Sequence, residues 1–454
     1  DLGAGGNNLD IPGWYNTDNV LTPFLSSQLN NDTTIKRKIG VFGNFDFGYK
    51  DYLFLNLTGR NDWSSVFSKS NNSYFYPSAG VSFIPTKAID GLQGDILRHA
   101  KISASIVKVG NDGVGEYDIN QLAVLGYGSP FNGANSYVLN RFATDANITP
   151  EFVTTKEIGV LLAFFKGDRV TLDASYYVTD TDDLITDITP SAASGLLSTT
   201  INAGAIQTKG YEIDLGFTPI KTEDFRWDAR VGYTHFKTKV KSLNSGADQV
   251  ELRNAGSVGI FAEVGEEYPL IKGTSFLRDD FGRVIVDANG LPTIDSNFKT
   301  LGKTTPDYIL NFNSSLRYKG FTLSTTMDFR TGHSFYSRTK HDLAFTGQLI
   351  ESAENRSGFI MPNSAYDYDG DGLYTASEAN TSVVTAASGT SSYINYTNNF
   401  YTAAAENFVL DATALKIREL ALSYSLPSDM IKNMGLTSLT FGVNARNFYT
   451  WLPK

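Results

Sequence analysis

Apolar and polar residues alternate with a period of two along most of this chain, in segments of about ten residues, the pattern of strands with two unlike faces. In Ile39–Gly48, residues Ile39, Val41, Phe45 and Phe47 share one face, while Asn44 and Asp46 take the other. In Tyr52–Arg60, Leu53, Leu55 and Leu57 oppose Asn56, Thr58 and Arg60. In Arg169–Thr179, Val170, Leu172, Ala174, Tyr176 and Val178 oppose Arg169, Thr171, Asp173 and Ser175. Thr208–Thr218, Phe225–Thr234, Tyr308–Tyr318, Phe321–Arg330, Arg418–Leu426 and Leu439–Asn447 repeat the pattern, and three further strands are expected near 75–84, 99–109 and 153–165. The pattern thus predicts about twelve strands.

Alternation alone fits a soluble sandwich as well as a barrel wall. The connections separate the two. Short ones (49–51, 85–98, 166–168, 220–224, 319–320, 427–436) take turns with long ones (61–74, 110–152, 180–207, 241–307, 331–414). A sandwich has no reason to sort its loops so regularly. An outer-membrane barrel does, with turns on the periplasmic side and long loops outside. The charged positions Asp173, Glu212, Asp214, Arg226, Asp228, Arg230, Arg317, Asp328 and Arg330 then face the lumen, since charge does not belong on lipid. If the 220–224 hairpin is symmetric, Asp214 lies opposite Arg230. Lumen charges of this kind form ion pairs that fix register more often than they contact a solute.

Composition narrows the function classes. The 454 residues carry a net charge of −10, which excludes the basic face of a nucleic-acid binder. There is no cysteine, so disulfide frameworks, thiolate metal sites and cysteine nucleophiles are excluded. No apolar run approaches the ~18 residues of a spanning helix, but barrel strands do not produce such runs. The four histidines, His99, His235, His333 and His341, are scattered without zinc-ligand spacing. No nucleophile elbow, phosphate loop or dinucleotide fingerprint is present, so nothing points to an enzyme.

Two stretches in order carry a family resemblance: Arg37-Lys38-Ile39-Gly40-Val41-Phe42-Gly43, and Tyr52-Leu53-Phe54-Leu55-Asn56-Leu57-Thr58-Gly59-Arg60-Asn61-Asp62-Trp63-Ser64-Ser65. Tyr74-Phe75-Tyr76-Pro77-Ser78-Ala79-Gly80 and Val153-Thr154-Thr155-Lys156-Glu157-Ile158-Gly159 follow, and Leu415-Lys416-Ile417-Arg418-Glu419-Leu420-Ala421-Leu422-Ser423-Tyr424-Ser425-Leu426-Pro427 with Asn444-Ala445-Arg446-Asn447 end the series. Together they resemble the SusC/RagA class of TonB-dependent outer-membrane transporters. The resemblance implies an all-β, antiparallel transmembrane β-barrel of 22 strands, a plug, a TonB box and a SusD-like surface lipoprotein lid. On that reading residues 1–454 are a C-terminal portion of the barrel, about twelve strands of it, with plug, TonB box and last strand lying outside the sequence. The implied activity is TonB-dependent import of a large nutrient, an oligosaccharide or a peptide, at the bacterial outer membrane. The partners would be the lipoprotein, the TonB complex and outer-membrane lipid. A passive porin and a secreted or surface β-rich binding protein are the alternatives.

Two sets of candidate residues follow. Aromatic faces stack on sugar rings and peptide side chains, which nominates Trp63, Phe67, Tyr74, Tyr127, Phe131 and Tyr137 for substrate contact. The competing role for each is an interfacial girdle or loop packing. The second set is the stretch Asp367-Tyr368-Asp369-Gly370-Asp371-Gly372-Leu373-Tyr374-Thr375-Ala376-Ser377-Glu378, which matches the calcium-loop pattern D-x-[DN]-x-[DN]-G-x5-E. It nominates Asp367, Asp369, Asp371, the Leu373 carbonyl and Glu378 as ligands of one structural Ca2+. An acidic surface turn is the competing role, and Tyr374 departs from the usual aliphatic residue. The acidic run Asp180, Asp182, Asp183 and Asp187 reads as a solvated loop.

Overall fold

The computed structural model describes residues 6–9, 20–23, 35–125, 137–243, 246–350, 357–385, 389, 392–432 and 435–453. Twelve strands form one sheet: β1 (Lys38–Tyr49), β2 (Leu53–Ser64), β3 (Ser73–Phe83), β4 (Leu97–Asn111), β5 (Glu151–Phe164), β6 (Val170–Asp182), β7 (Gly204–Lys221), β8 (Phe225–Leu243), β9 (Tyr308–Tyr318), β10 (Phe321–Thr331), β11 (Ala414–Ser425) and β12 (Thr440–Trp451). Each strand pairs antiparallel with its neighbours in sequence, so the sheet is a plain up-and-down meander. All twelve strands expected from the alternation are present.

One row of directly paired residues crosses the whole sheet: Tyr49, Leu53, Phe83, Ile102, Val160, Ala174, Ile213, Tyr233, Leu310, Phe329, Leu415 and Trp451. Every member is apolar or aromatic. The adjacent row faces the other way and reads Gly48, Phe54, Ser82, Ser103, Gly159, Ser175, Glu212, Thr234, Ile309 and Arg330. The sheet therefore has a continuous apolar face and a largely polar one.

The apolar row also measures tilt. It enters at the last residue of β1, beside a short turn, and leaves at the last residue of β12, at the long-loop end of that twelve-residue strand. A climb of about eleven residues at ~3.3 Å each, over eleven strand spacings of ~4.8 Å, gives a tilt of about 35°. That is the tilt of a membrane barrel wall.

Aromatic residues collect on the apolar face at two heights. Near the short turns, the Tyr52 ring meets Tyr49 at 5.6 Å and Phe83 at 6.0 Å, Phe225 meets Tyr318 at 6.4 Å, and Phe321 meets Tyr424 at 4.4 Å. Near the long loops, Tyr211, Tyr233 and Tyr308 stack in series at 5.8 Å each, with His235 and Phe329 at the ends of the series. Tyr308 and Tyr318 are the two ends of β9, which has 11 residues. Along a strand tilted by about 35°, that separation is about 27 Å of height, close to the ~25 Å apolar band between aromatic girdles.

Two of the turns under the sheet are tight. Lys319 and Gly320 both have positive φ (43° and 90°) between the paired Tyr318 and Phe321, the geometry of a two-residue hairpin whose twist matches the strands, and Lys50 and Asp51 (46° and 57°) turn the chain in the same way in the connection between the paired Tyr49 and Leu53. One register expectation is corrected. Asp214 lies opposite Gly232 and Asp173, while Arg230 lies opposite Gly216 and Asn313. The symmetric reading failed because the hairpin closes later in the chain, with Lys221 opposite Arg226, and the one-residue bulge between Phe217 and Ile220 offsets only part of that displacement. Other lumen charges do pair: Arg226 with Asp228 at 2.7 Å, and Asp328 with both Arg330 and Arg418 at 3.1 Å.

Candidate functional site

The long connections fold into structures of their own above the wall. Between β2 and β6, Val66, Phe67, Tyr74, Val114 and Ile148 form a small core. A buried carboxylate moors it to the strands. Asp62, 1% exposed, accepts hydrogen bonds from Arg60 Nε at 2.8 Å and the Tyr76 hydroxyl at 2.7 Å. Lys38, 3.6 Å from Asp62, also reaches Asp112 at 3.2 Å, and the Ser64 hydroxyl donates to Asp112 at 2.8 Å.

The described parts of the connections 246–307 and 332–413 fold together. Gln249–Asn254, Val258–Glu263, Leu270–Phe276 and Ile294–Lys303 make a four-stranded sheet. Phe276, Val284, Val286 and Leu291 from the first connection share a core with Met361, Val384, Tyr396 and Ala404 from the second. Val284–Ile285 also pairs in parallel with Ser364–Ala365. Two segments far apart in sequence are thus welded over the strand ends.

Beneath this cap, on the inner side of the sheet, lies a cavity of about 1090 Å³. Val258, Ile260, Ile271, Phe335, Tyr336 and Leu410 supply apolar walls; His333, Asp411 and Lys416 supply charge-bearing groups. Lys416 pairs in register with Asp328 and Thr450 on the polar face, so the cavity meets the lumen wall. Gly332 makes the placement of His333 to Tyr336 possible. Its φ of +78° ends β10, and a Cβ there would collide with the Asp307 carboxylate. Ser334–Tyr336 then pairs with Val409–Asp411. Burial, reinforced by the Arg330 charge, pushes the His333 pKa below its ordinary value against the pull of Asp411. Its Nδ1 is buried with no hydrogen-bond partner among the described residues. The imidazole is therefore neutral at neutral pH.

The sequence-nominated aromatics do not meet here. Phe67 and Tyr74 are each 4% exposed inside the loop core, which leaves them no surface for a solute. Their aromatic character served packing, the competing role named for them. Trp63 shares the outward face of β2 with Leu53, Leu55 and Leu57, at its long-loop end, so it faces away from the lumen. Tyr137 is exposed on the short strand Tyr137–Leu139, and Tyr127 and Phe131 lie outside the described residues. Phe335 and Tyr336 were missed. The only local signal was an aromatic pair just past a strand-ending glycine, and partners that shape the cavity, such as Val258, Ile260 and Leu410, are more than seventy residues away in sequence.

The acidic loop lies within the fused cap. Carboxylate oxygens of Asp367, Asp369 and Asp371 lie within 4.8 Å of one another. Asp367 accepts from the N–H groups of Gly370 (2.6 Å) and Gly372 (2.9 Å), and Asp371 accepts from Leu373 N–H at 2.7 Å. Glu378 stands apart from that cluster: its carboxylate accepts from the N–H groups of Thr375 at 2.6 Å and Tyr368 at 3.3 Å. The Arg283 guanidinium donates to the Thr375 carbonyl at 2.8 Å and so ties the loop to the other connection.

Comparison with known proteins places this architecture. Residues 1–260 match the family described as TonB dependent receptor-like, beta-barrel. TonB-dependent receptor P26 of Formosa agariphila is 26% identical over 434 residues, 90% of this chain and 41% of that protein. TonB-dependent receptor SusC of Bacteroides thetaiotaomicron is 24% identical over 431 residues, 91% of this chain and 40% of that protein. The chain thus spans about two fifths of the length of the curated relatives it matches. Among solved structures, a chain of the RagAB peptide importer in its closed-closed state superposes with a TM-score of 0.69 at 19% identity, covering 92% of this chain and 44% of that one. At that identity the likeness establishes the fold.

Proposed function

The chain belongs to the TonB-dependent receptor-like β-barrel family, and on that premise we propose that it forms part of an energy-coupled importer of a large nutrient, an oligosaccharide or a peptide. The family is one of outer-membrane receptors and transporters, not of enzymes, and the twelve-stranded sheet is an outer-membrane barrel wall. The observation that carries the import reading is the cavity under the fused cap. It is large enough for several residues of a polymer and apolar on one side, with the Phe335 and Tyr336 rings available for stacking. Solute would be held there between the loops and a SusD-like lipoprotein lid. Force transmitted by TonB through the rest of the protein would then open the path along the polar face. The likeness to RagAB, a peptide importer, supports a peptide as one candidate cargo.

The same reading gives the 367–378 loop one Ca2+, held by Asp367, Asp369, Asp371, the Leu373 carbonyl and Glu378. Three clustered carboxylates support it, and oxygen ligands at about 2.3–2.6 Å suit that ion. The ion would order the cap, with no part in chemistry.

The test is uptake of labelled oligosaccharide and peptide pools by cells carrying the full-length protein. Uptake of one pool should vanish when TonB is removed. Phe335→Ala with Tyr336→Ala should raise the half-saturating concentration several-fold at unchanged surface abundance. Uptake indifferent to TonB would identify a passive pore and defeat the proposal.

A further inference from the structure

Lysines collect on the outward face of the wall at and just above the level of the long-loop aromatic belt, and we infer that they form a binding site for the phosphate groups of outer-leaflet glycolipid. The inference rests on the orientation of the barrel and is independent of what the protein imports.

Three consecutive outward rows define the site. The belt row reads Ala104, Ile158, Tyr176, Tyr211 and His235 across β4 to β8. The row above it reads Ile106, Lys156, Val178, Lys209 and Lys237. The next reads Lys108, Thr154, Asp180, Gln207 and Lys239. Below the belt the same face is apolar: Val160, Ala174 and Ile213 share one row, and Leu162, Leu172 and Leu215 the next. The change from hydrocarbon-like to cationic surface takes one row, about 6.6 Å of strand.

Five lysines thus share two rows in a chain whose net charge is −10. Some are neutralised from within. Lys237 pairs with Glu267, and Lys239 donates to the Gly265 carbonyl at 3.1 Å. Asp180, the one carboxylate in these rows, accepts from Gln207 at 2.6 Å. Lys108 lies 4.0 Å over the Phe152 ring. Lys156 and Lys209 are exposed, and neither has an ion pair or hydrogen bond among the described residues.

The height selects the anion. Each row climbs about 2.8 Å per strand at the ~35° tilt, so Lys156 stands level with the belt residue Tyr211 and Lys209 about 5 Å above it along the membrane normal, and aromatic belts mark the edge of the headgroup layer. Anionic headgroups at that level attract lysines strongly. A phosphate between Lys156 and Lys209, with its acyl chains along Ile158, Ile213 and Leu215, satisfies both the charge and the apolar strip beneath it.

The test is native mass spectrometry of the full-length protein in detergent, titrated with purified lipid A and with enzymatically dephosphorylated lipid A. Wild type should retain phosphorylated lipid A and lose the dephosphorylated form. Lys156→Ala with Lys209→Ala should weaken retention about tenfold. Lys156→Arg with Lys209→Arg should keep it, and Lys319→Ala, at the opposite rim, should change nothing. Heat-modifiable mobility on gels confirms that each variant is folded. Equal retention by wild type and the double alanine variant, or equal retention of the two lipid forms, would overturn the assignment.

Discussion

Single carboxylates decide the chemistry of the 367–378 loop. The Gly372 N–H holds Asp367 below the ordinary aspartate value, and the Thr375 N–H does the same for Glu378. Asp369 moves the other way. The Asp371 N–H pulls its pKa down, but desolvation and the neighbouring charges of Asp371 and Glu378 outweigh that pull. The signs follow. Depressed groups stabilise the folded loop above their unfolded values, and that contribution is lost as pH falls through the folded ones. Asp369, raised, takes up a proton at a higher pH than an ordinary aspartate does. The proposed Ca2+ would compete with that proton, so affinity should fall as the pH is lowered toward the ordinary aspartate value of about 3.9. Calorimetry on the full-length protein should show Ca2+ binding at pH 7 that weakens on acidification and disappears in Asp369→Ala with Glu378→Ala. Equal heats from both proteins would reduce the loop to an acidic turn.

At the scale of elements, the two faces of the strands make opposite demands. Leu215 lies at mid-height on the lipid side of β7, between the belt residues and the short turn, and Leu215→Lys should cost about 2–4 kcal/mol of folding stability. Thr58 lies on the lumen side of β2, where its hydroxyl donates to Asn44 at 2.8 Å, and Thr58→Lys should cost no more than that one hydrogen bond, about 1 kcal/mol. Denaturant titration of the refolded protein in lipid distinguishes the two. The strands were legible in sequence because lipid and lumen impose a period of two on every segment. Their ends were not. β2 runs on to Ser64 and β8 to Leu243, beyond the alternating windows, because above the membrane both faces meet protein or water. The cap was illegible for a related reason. Its core joins Phe276 and Leu291 to Met361 and Tyr396, and nothing local in either segment announces a partner so distant in sequence. Phe67 and Tyr74 show the same limit from the other side: residue type named them as aromatic, but only the fold shows which surface they cover.

For the whole molecule, the shear row from Tyr49 to Trp451, the two aromatic belts and the sorted loops describe one object, a tilted wall with a lipid side, a water side, and a folded cap over its outer end. The cavity and the lysine site both take their meaning from that orientation: one lies inside the wall beneath the cap, the other outside it at headgroup height. Orientation is therefore the claim on which the rest depends, and β7 tests it most directly. This chain has no cysteine, so single cysteines introduced at Tyr211 through Phe217 in the full-length protein report through spin labels without interference from these 454 residues. In lipid bilayers, labels at 211, 213, 215 and 217 should relax with oxygen, and labels at 212, 214 and 216 with a water-soluble nickel reagent. Loss of that alternation, or its reversal, would contradict the account.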